Sequence, residues 1–418
     1  VKRALGKVGG FSLVSLLSAA VALLVVPAVI RVAGAESWAT VAVGQASGTI
    51  ASTLLAMGWG FNGPAITAMT PVVDRPPLAA NSLIARGMIA PLILGGACSV
   101  SAVLRPGEAL IAVLSCIIST LPGLNMNWLF VGAGNVRMLV LCDTAPRVLG
   151  SLAGLGVLLV SGELLLFLLV QVASVVLSVL FASLAALRGL SHCVRTDWGF
   201  CKAIAVSRTQ TAAGITVFTA ASYLAMPTLV VAALSPSSVF AYALAEKISR
   251  YSLIGIAPIY QWMQGWVPGS PVDAGVLRRM WISIRLSIAI AIIAAVLVIY
   301  LSPLAAVALG AAYGVLGYPL AVPMAVTVGM SAISRCTGAV CLVAFRRERA
   351  VAVSAISGAL VGVPLLFVFV APWGAVGAAV AVMLSEIIVV LVQVRALWSS
   401  YRDWKLSSAG DYGSYIRI

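Results

Sequence analysis

Cut at its long apolar stretches, the chain falls into about twelve runs of roughly 20 residues, the length an α-helix needs to cross a hydrocarbon core near 30 Å thick. The lysines and arginines collect in alternate gaps between those runs. Lys2, Arg3 and Lys7 precede the first, Arg75 and Arg86 follow the second, and Arg137 and Arg147 follow the fourth. Arg188, Arg195, Lys202 and Arg208 follow the sixth; Arg278, Arg279 and Arg285 the eighth; Arg346, Arg347 and Arg349 the tenth. Arg395, Arg402, Lys405 and Arg417 close the series, while the opposite gaps hold only Arg31 and Arg105. Loops rich in Lys and Arg stay in the cytoplasm. The pattern therefore predicts an even number of spans with both termini inside, in a polytopic protein of the inner membrane.

Composition agrees. A chain that is 62% hydrophobic and 9% charged lacks the polar surface a soluble globule needs. Spans must satisfy their backbone hydrogen bonds internally, as helices or a closed barrel, and runs without polar alternation exclude the barrel. The net charge of +14 would suggest nucleic acid in a soluble protein; here the positive-inside bias accounts for it, and no nucleic-acid partner is expected. The cysteines (98, 116, 142, 193, 201, 336 and 341) form no Cys-x-x-Cys pair and lie mostly in spans or cytoplasmic loops, where thiols stay reduced. With His192 the only histidine, and that in a loop, neither a clustered metal site nor a Ser/His/Asp set can be built. No cofactor and no enzyme activity are expected. No nucleotide-binding glycine loop occurs, so transport would not be driven by ATP hydrolysis in this chain. Lys2, Arg3 and Lys7 followed by an apolar stretch ending Ala33-Gly34-Ala35 imitate a secretory signal. The run is too long for one, and another follows at once, so it reads as an uncleaved first helix.

The expected spans are 10–33, 38–59, 83–104, 108–125, 138–160, 163–186, 211–234, 239–265, 282–302, 318–344, 351–371 and 375–397. Loops assigned to the outside are short. The longest polar stretch divides the chain into an N-terminal six-helix lobe (1–187), a cytoplasmic linker (188–210), a C-terminal six-helix lobe (211–398) and a cytoplasmic tail (399–418). The lobes look related. Pro27 has a counterpart in Pro227, each followed by a polar turn, and Gly150-x-x-x-Gly154 pairs with Gly358-x-x-x-Gly362, spacings that let helices approach closely. Equal orientation of two six-span halves is the parallel-repeat arrangement, in which substrates pass between the halves. The stretch 61–82, rich in proline and poor in charge, reads as lying along the membrane surface.

Ionisable groups inside spans are costly, about 2.5–3.5 kcal/mol or more each, so their positions are informative. The eighth run contains Glu246, Lys247 and Arg250. Glu246 and Arg250 are four apart and can pair on one helix face; Lys247 points about 100° away. Two readings stand: an internal ion pair with a lysine snorkelling to headgroups, or a cavity-facing cationic site that Glu246 tunes. Arg335 lies well inside the tenth run with no acid within a turn, and calls for an anionic ligand or a partner from another helix. Arg31, one turn beyond Pro27, is either an interfacial snorkel or a group at a cavity mouth. Guanidinium and ammonium groups suit phosphate oxygens. Glu386 is a proton- or sodium-responsive group or the mate of a basic residue, the second being the plainer reading. Asp143 and Arg147 read as an i,i+4 pair, and Trp128 as an interfacial anchor.

Four stretches resemble the Wzx-type polysaccharide (oligosaccharide) flippases, of the superfamily that also holds MATE exporters and lipid II flippases. They are VVPAVIRVAGAESWATVAVGQ, NWLFVGAGNVRML, AYALAEKISRYSLIGIAPIYQWMQGWVP and WGAVGAAVAVMLSEIIV, in family order over nearly the whole chain. Ala39 departs from the usual glycine, and helices beyond twelve, expected of lipid II flippases, are missing. The resemblance implies an all-α polytopic membrane protein, about 12 transmembrane helices in two pseudo-symmetric six-helix lobes around a central cavity that opens alternately to each side. It implies translocation of a polyprenyl-pyrophosphate-linked oligosaccharide, a cell-surface polysaccharide precursor, across the bacterial inner membrane. Arg31, Lys247, Arg250 and Arg335 become the candidates for pyrophosphate, Tyr242 and Gln45 for sugar, and Glu246 and Glu386 for ion coupling or charge tuning. Membrane lipids, a polysaccharide polymerase and glycosyltransferases are the expected partners. The alternative in the same fold is a cation-coupled, MATE-like small-molecule exporter, which would favour acidic groups. A membrane-embedded glycan polymerase would need a sizeable external loop, and a non-transporting partner of a glycan assembly complex would keep all the packing features.

Overall fold

Helix α1 (Lys2–Ala56) has 55 residues, about 80 Å if straight and more than twice the hydrocarbon thickness. It breaks at Gly34, whose φ of 88° and ψ of 170° only glycine adopts without strain. Two spans result where the sequence places the first and second. The computed structural model describes residues 2–188, 190, 198–267, 274–312 and 315–414. Among them the chain is helices and turns, with no strand. His192, Cys193 and Arg195 lie outside the described residues.

After α1 come α2 (Trp59–Met69), α3 (Arg75–Leu104), α4 (Ala109–Thr120), α5 (Asn127–Gly132), α6 (Val136–Leu139), α7 (Ala145–Ser161) and α8 (Leu164–Ala186). They are followed by α9 (Phe200–Thr209), α10 (Thr211–Leu234), α11 (Val239–Trp266), α12 (Ala274–Ala308), α13 (Tyr318–Cys336) and α14 (Glu348–Ser414). At 67 residues α14 is also two spans, broken at Gly374 (φ 53°, ψ −126°). Eight helical stretches are long and apolar enough to cross a membrane, two of them containing the glycine breaks; α10 and α11 complete the expected twelve. The chain is a multi-pass helical membrane protein.

Boundaries shift for physical reasons. Pro76 and Pro77 stand in the first turn of α3, where a missing N–H costs nothing, so α3 starts at Arg75 rather than at 83. The fifth and tenth spans carry π-helical turns, Val140–Thr144 before α7 and Thr337–Leu342 after α13. Within 61–82, α2 buries Gly63 and Thr67 beside Trp128 and Gly132 of α5 and leaves Phe61, Met69, Val72 and Val73 exposed. The part of the linker that is described contains α9, and α14 continues as helix through 399–414.

The chain divides into two compact units, 1–233 with 308–311, and 234–307 with 312–418. In the first, α7 and α8 close on each other at Gly150, where any Cβ would collide with Ser174, whose hydroxyl donates to the Pro146 carbonyl at 2.8 Å. In the second, the two arms of α14 meet at Gly358, and Ser385 Oγ donates to its carbonyl at 2.6 Å.

Each unit also has a buried polar clasp. In the first, Asn125 Nδ2 donates to Asp143 Oδ1 at 2.7 Å and to Ser178 Oγ at 3.0 Å, and Ser178 Oγ donates to Asp143 at 2.9 Å. In the second, Thr337 Oγ1 donates to Gln393 Oε1 at 2.6 Å, and Gln393 Nε2 donates to Ser354 and Ser334, both at 3.1 Å. Asn125, Asp143 and Ser178 precede Thr337, Ser354 and Gln393 by near-constant intervals, about 211 to 215 residues. The same three spans of each expected lobe are tied in the same way.

Candidate functional site

The second unit carries six of the eight candidate residues. Helix α11 places Glu246 and Arg250 one turn apart, and the pair forms: Arg250 Nε and Nη2 both reach Glu246 Oε1, at 2.8 and 2.5 Å. The carboxylate is mostly buried and the guanidinium nearly half exposed. Arg250 is thus neutralised from its own helix, as i,i+4 spacing allows. Lys247 sits beside this pair, partly buried. Tyr242, one turn earlier, is only 2% exposed, so its ring is closed to a bulky ligand in this conformation.

Arg335 lies on α13, which packs against α11. It is exposed on its unit, and no ion pair joins it to an acid among the described residues. It falls in the last turn before the π-helical segment Thr337–Leu342. Such segments loosen the backbone ladder and recur at functional positions. Glu386 is partly buried on α14, next to the seam serine Ser385.

Arg31 and Gln45 belong to the first unit. Arg31 is exposed, one turn before the Gly34 break; its Cγ lies where a Cβ on Gly310 would approach within 3.0 Å, so the missing side chain leaves room for its stem. Gln45 is partly buried in the second arm of α1, and Thr49 Oγ1 donates to its carbonyl at 2.7 Å.

Sequence reasoning missed the most buried charge among the described residues. Arg86, read as a loop cation, is 1% exposed inside α3. Its guanidinium donates to the Gly123 and Asn125 carbonyls at 3.0 and 3.1 Å and to Met126 Sδ, while Nε donates to the Ser82 carbonyl. The expected Asp143–Arg147 i,i+4 pair forms at 3.6 Å, and what the sequence does not show is that Asn125 and Ser178 hold the same carboxylate at 2.7 and 2.9 Å. Nor is Trp128 an interfacial anchor. It is buried against Trp59, ring centroids 4.5 Å apart, because Gly63 leaves the space its ring fills.

Two compact helical units with cations inside apolar helices define a class, the helical membrane proteins with charged groups in their spans. Neither a protein-family model nor a curated protein matches the sequence. Solved structures do share the fold. The lipid II flippase MurJ, in an inward closed conformation, superposes with a TM-score of 0.61 at 10% identity, over 93% of this chain and 87% of that one. An inward-facing multidrug resistance MATE family transporter of the MOP superfamily gives 0.59 at 14% identity, over 91% and 95%. A MOP superfamily transporter from Pyrococcus furiosus, described by the reverse polarity of its binding pocket, gives 0.55 at 12%, over 94% and 96%.

Proposed function

We propose that the chain is an alternating-access flippase that moves a polyprenyl-pyrophosphate-linked oligosaccharide across the bacterial inner membrane, both termini in the cytoplasm. The observation that carries this reading is Arg335, a guanidinium within a membrane span with no acidic partner among the described residues. A bare cation at that depth is costly unless an anion meets it, and a pyrophosphate supplies one with oxygens suited to bidentate donation. Lys247 adds a second positive group. Arg250 is a reserve: the pyrophosphate competes with Glu246 for its guanidinium, which makes binding reversible. The likeness to a lipid II flippase supports a lipid-linked cargo, and the two lobes expected at 1–187 and 211–398 would move against each other.

The test is the leaflet distribution of lipid-linked oligosaccharide in a deletion strain, read by mass spectrometry and leaflet-selective labelling. Deletion is expected to trap the glycan inside. Add-back of Arg335→Ala, expressed at the wild-type level, is expected to restore flipping at least about tenfold less well, the value of one charge-assisted hydrogen bond. An unchanged inner pool in the deletion strain removes the glycan assignment.

The Glu246–Arg250 pair favours the second reading, a cation-coupled exporter. A carboxylate held that way can exchange its arginine for a proton or sodium ion, with Glu386 as a further acid. Proton- or sodium-dependent efflux of a cationic dye from proteoliposomes, abolished by Glu246→Gln, would support it.

A further inference from the structure

At 35 residues α12 is about 50 Å long, roughly 20 Å more than a hydrocarbon core. Arg278, Arg279 and Arg285 put its N-terminal turns at headgroup level. There Arg278, Trp281, Ile282 and Arg285 recur at i, i+3, i+4 and i+7 and are all exposed, one outward stripe. Leu286, Ile292, Ile293 and Val296 continue it as a bare apolar face. The inward face carries Arg279, Ser283 and Ser287 at four-residue steps. Arg279 Nε is shut off from solvent and, one turn on, the Ser283 hydroxyl is 1% exposed; neither has a hydrogen-bond partner among the described residues.

The far end of α14 packs against these turns. Leu397, Tyr401 and Trp404 pack on the core that contains Val276, Leu277 and Met280 of α12. Tyr401 meets Trp281 edge-on at 6.4 Å. Arg402 and Lys405 are exposed on the same stretch of α14, where the carboxylate Asp403 is already occupied by Arg347 at 3.1 Å.

We propose that this basic and aromatic face binds the phosphate headgroup of an anionic phospholipid of the bilayer itself, in the inner leaflet. The Arg279 guanidinium, partly exposed, donates to the phosphate oxygens, and the exposed Arg278, Arg402 and Lys405 add positive potential. Trp281 and Tyr401 flank the glycerol region, the depth at which such rings are favoured. The exposed stripe of α12 above them carries the acyl chains. A soluble phosphate would have no use for that stripe, which is why the occupant is a lipid. Basic pockets between spans on the cytoplasmic side are apt for such headgroups.

The full chain, purified in detergent, is delipidated and titrated with cardiolipin, phosphatidylglycerol or phosphatidylcholine, and bound lipid is counted by native mass spectrometry. Wild type is expected to retain the two anionic lipids preferentially. Arg278→Gln, a surface change that leaves the fold intact, is expected to weaken anionic binding about fivefold, and Arg278→Gln with Arg279→Gln about 25-fold, from the value of one basic residue near an anionic surface. Arg335→Gln should leave it unchanged, which separates this site from the proposed translocation site. Equal retention of anionic and zwitterionic lipid by wild type overturns the proposal. So does undiminished binding by Arg278→Gln, or displacement of cardiolipin by an equimolar polyprenyl pyrophosphate.

Discussion

Arg86 shows how a charge can be structural where its position suggests topology. Its donors satisfy the carbonyls of Gly123 and Asn125, which the turn after α4 leaves without helical partners. Replacing it with methionine keeps the volume and removes those donors from a buried site. Arg86→Met is expected to destabilise the protein by about 3–5 kcal/mol, the usual result of breaking a buried charged network from one side; Arg86→Lys should recover little, since an ammonium lacks the fork. Thermal unfolding of the purified protein in detergent checks both, and an unchanged midpoint for Arg86→Met would falsify the assignment. The sequence could not reveal this role, because Arg86 fits the basic-gap pattern and its acceptors are backbone atoms 37 and 39 positions away. The Glu246–Arg250 pair was legible, because helical spacing alone brings those two groups together. Glu246→Gln releases Arg250 from its counter-charge; in transport assays it is expected to slow product release by about tenfold rather than weaken binding, if Arg250 is the reserve cation.

Among elements, the twelve runs were readable because the apolar length of a span is set by the bilayer, not by its neighbours. The contacts between runs were not. Gly150 and Gly358 announced their seams by spacing, yet nothing in the sequence singled out Ser174 and Ser385 as the residues that occupy them. Gly44 and Gly48 have the same spacing, and there α1 lies against Ala112, Ser115, Cys116 and Ser119 of α4 so closely that a Cβ has no room. The clasps are the strongest trace of an internal repeat, and they use different chemistry, an aspartate in one unit and a glutamine in the other. If each is a unit, its members couple. Asn125→Ala and Asp143→Ala are expected to show an interaction energy of about 0.5–3 kcal/mol in a double-mutant cycle, and Ser354→Ala with Gln393→Ala likewise. Strict additivity in either unit would reduce that clasp to incidental contacts.

At the scale of the whole molecule, the distribution of basic residues makes one demand that the helices permit and a labelling experiment can refuse. Gly34 and Gly374 each turn a long helix back across the membrane, and at the first of these turns Glu36 pairs with Arg105 at 2.5 Å while Ser37 donates to Glu108 at 2.7 Å. The α1 break and the turn before α4 therefore share one side of the membrane. Cys201, exposed at the start of α9, lies after an even number of spans from the N-terminus, in the expected linker. Gly107 sits in the turn joined to Glu36 through its neighbours, exposed, with open space around any added side chain. In a variant whose only cysteine is Cys201, a membrane-impermeant maleimide is expected to react in inverted vesicles and not in intact spheroplasts. In a Gly107→Cys variant without other cysteines the order should reverse. Reaction of Cys201 from the outside would place both termini there as well. It would put the Arg278, Arg346 and Arg402 clusters in the wrong leaflet for the proposed lipid site and break the positive-inside rule at every basic gap at once. The direction assigned to any cargo depends on this single result, because an inverted frame would turn a flippase into an importer with the same cations.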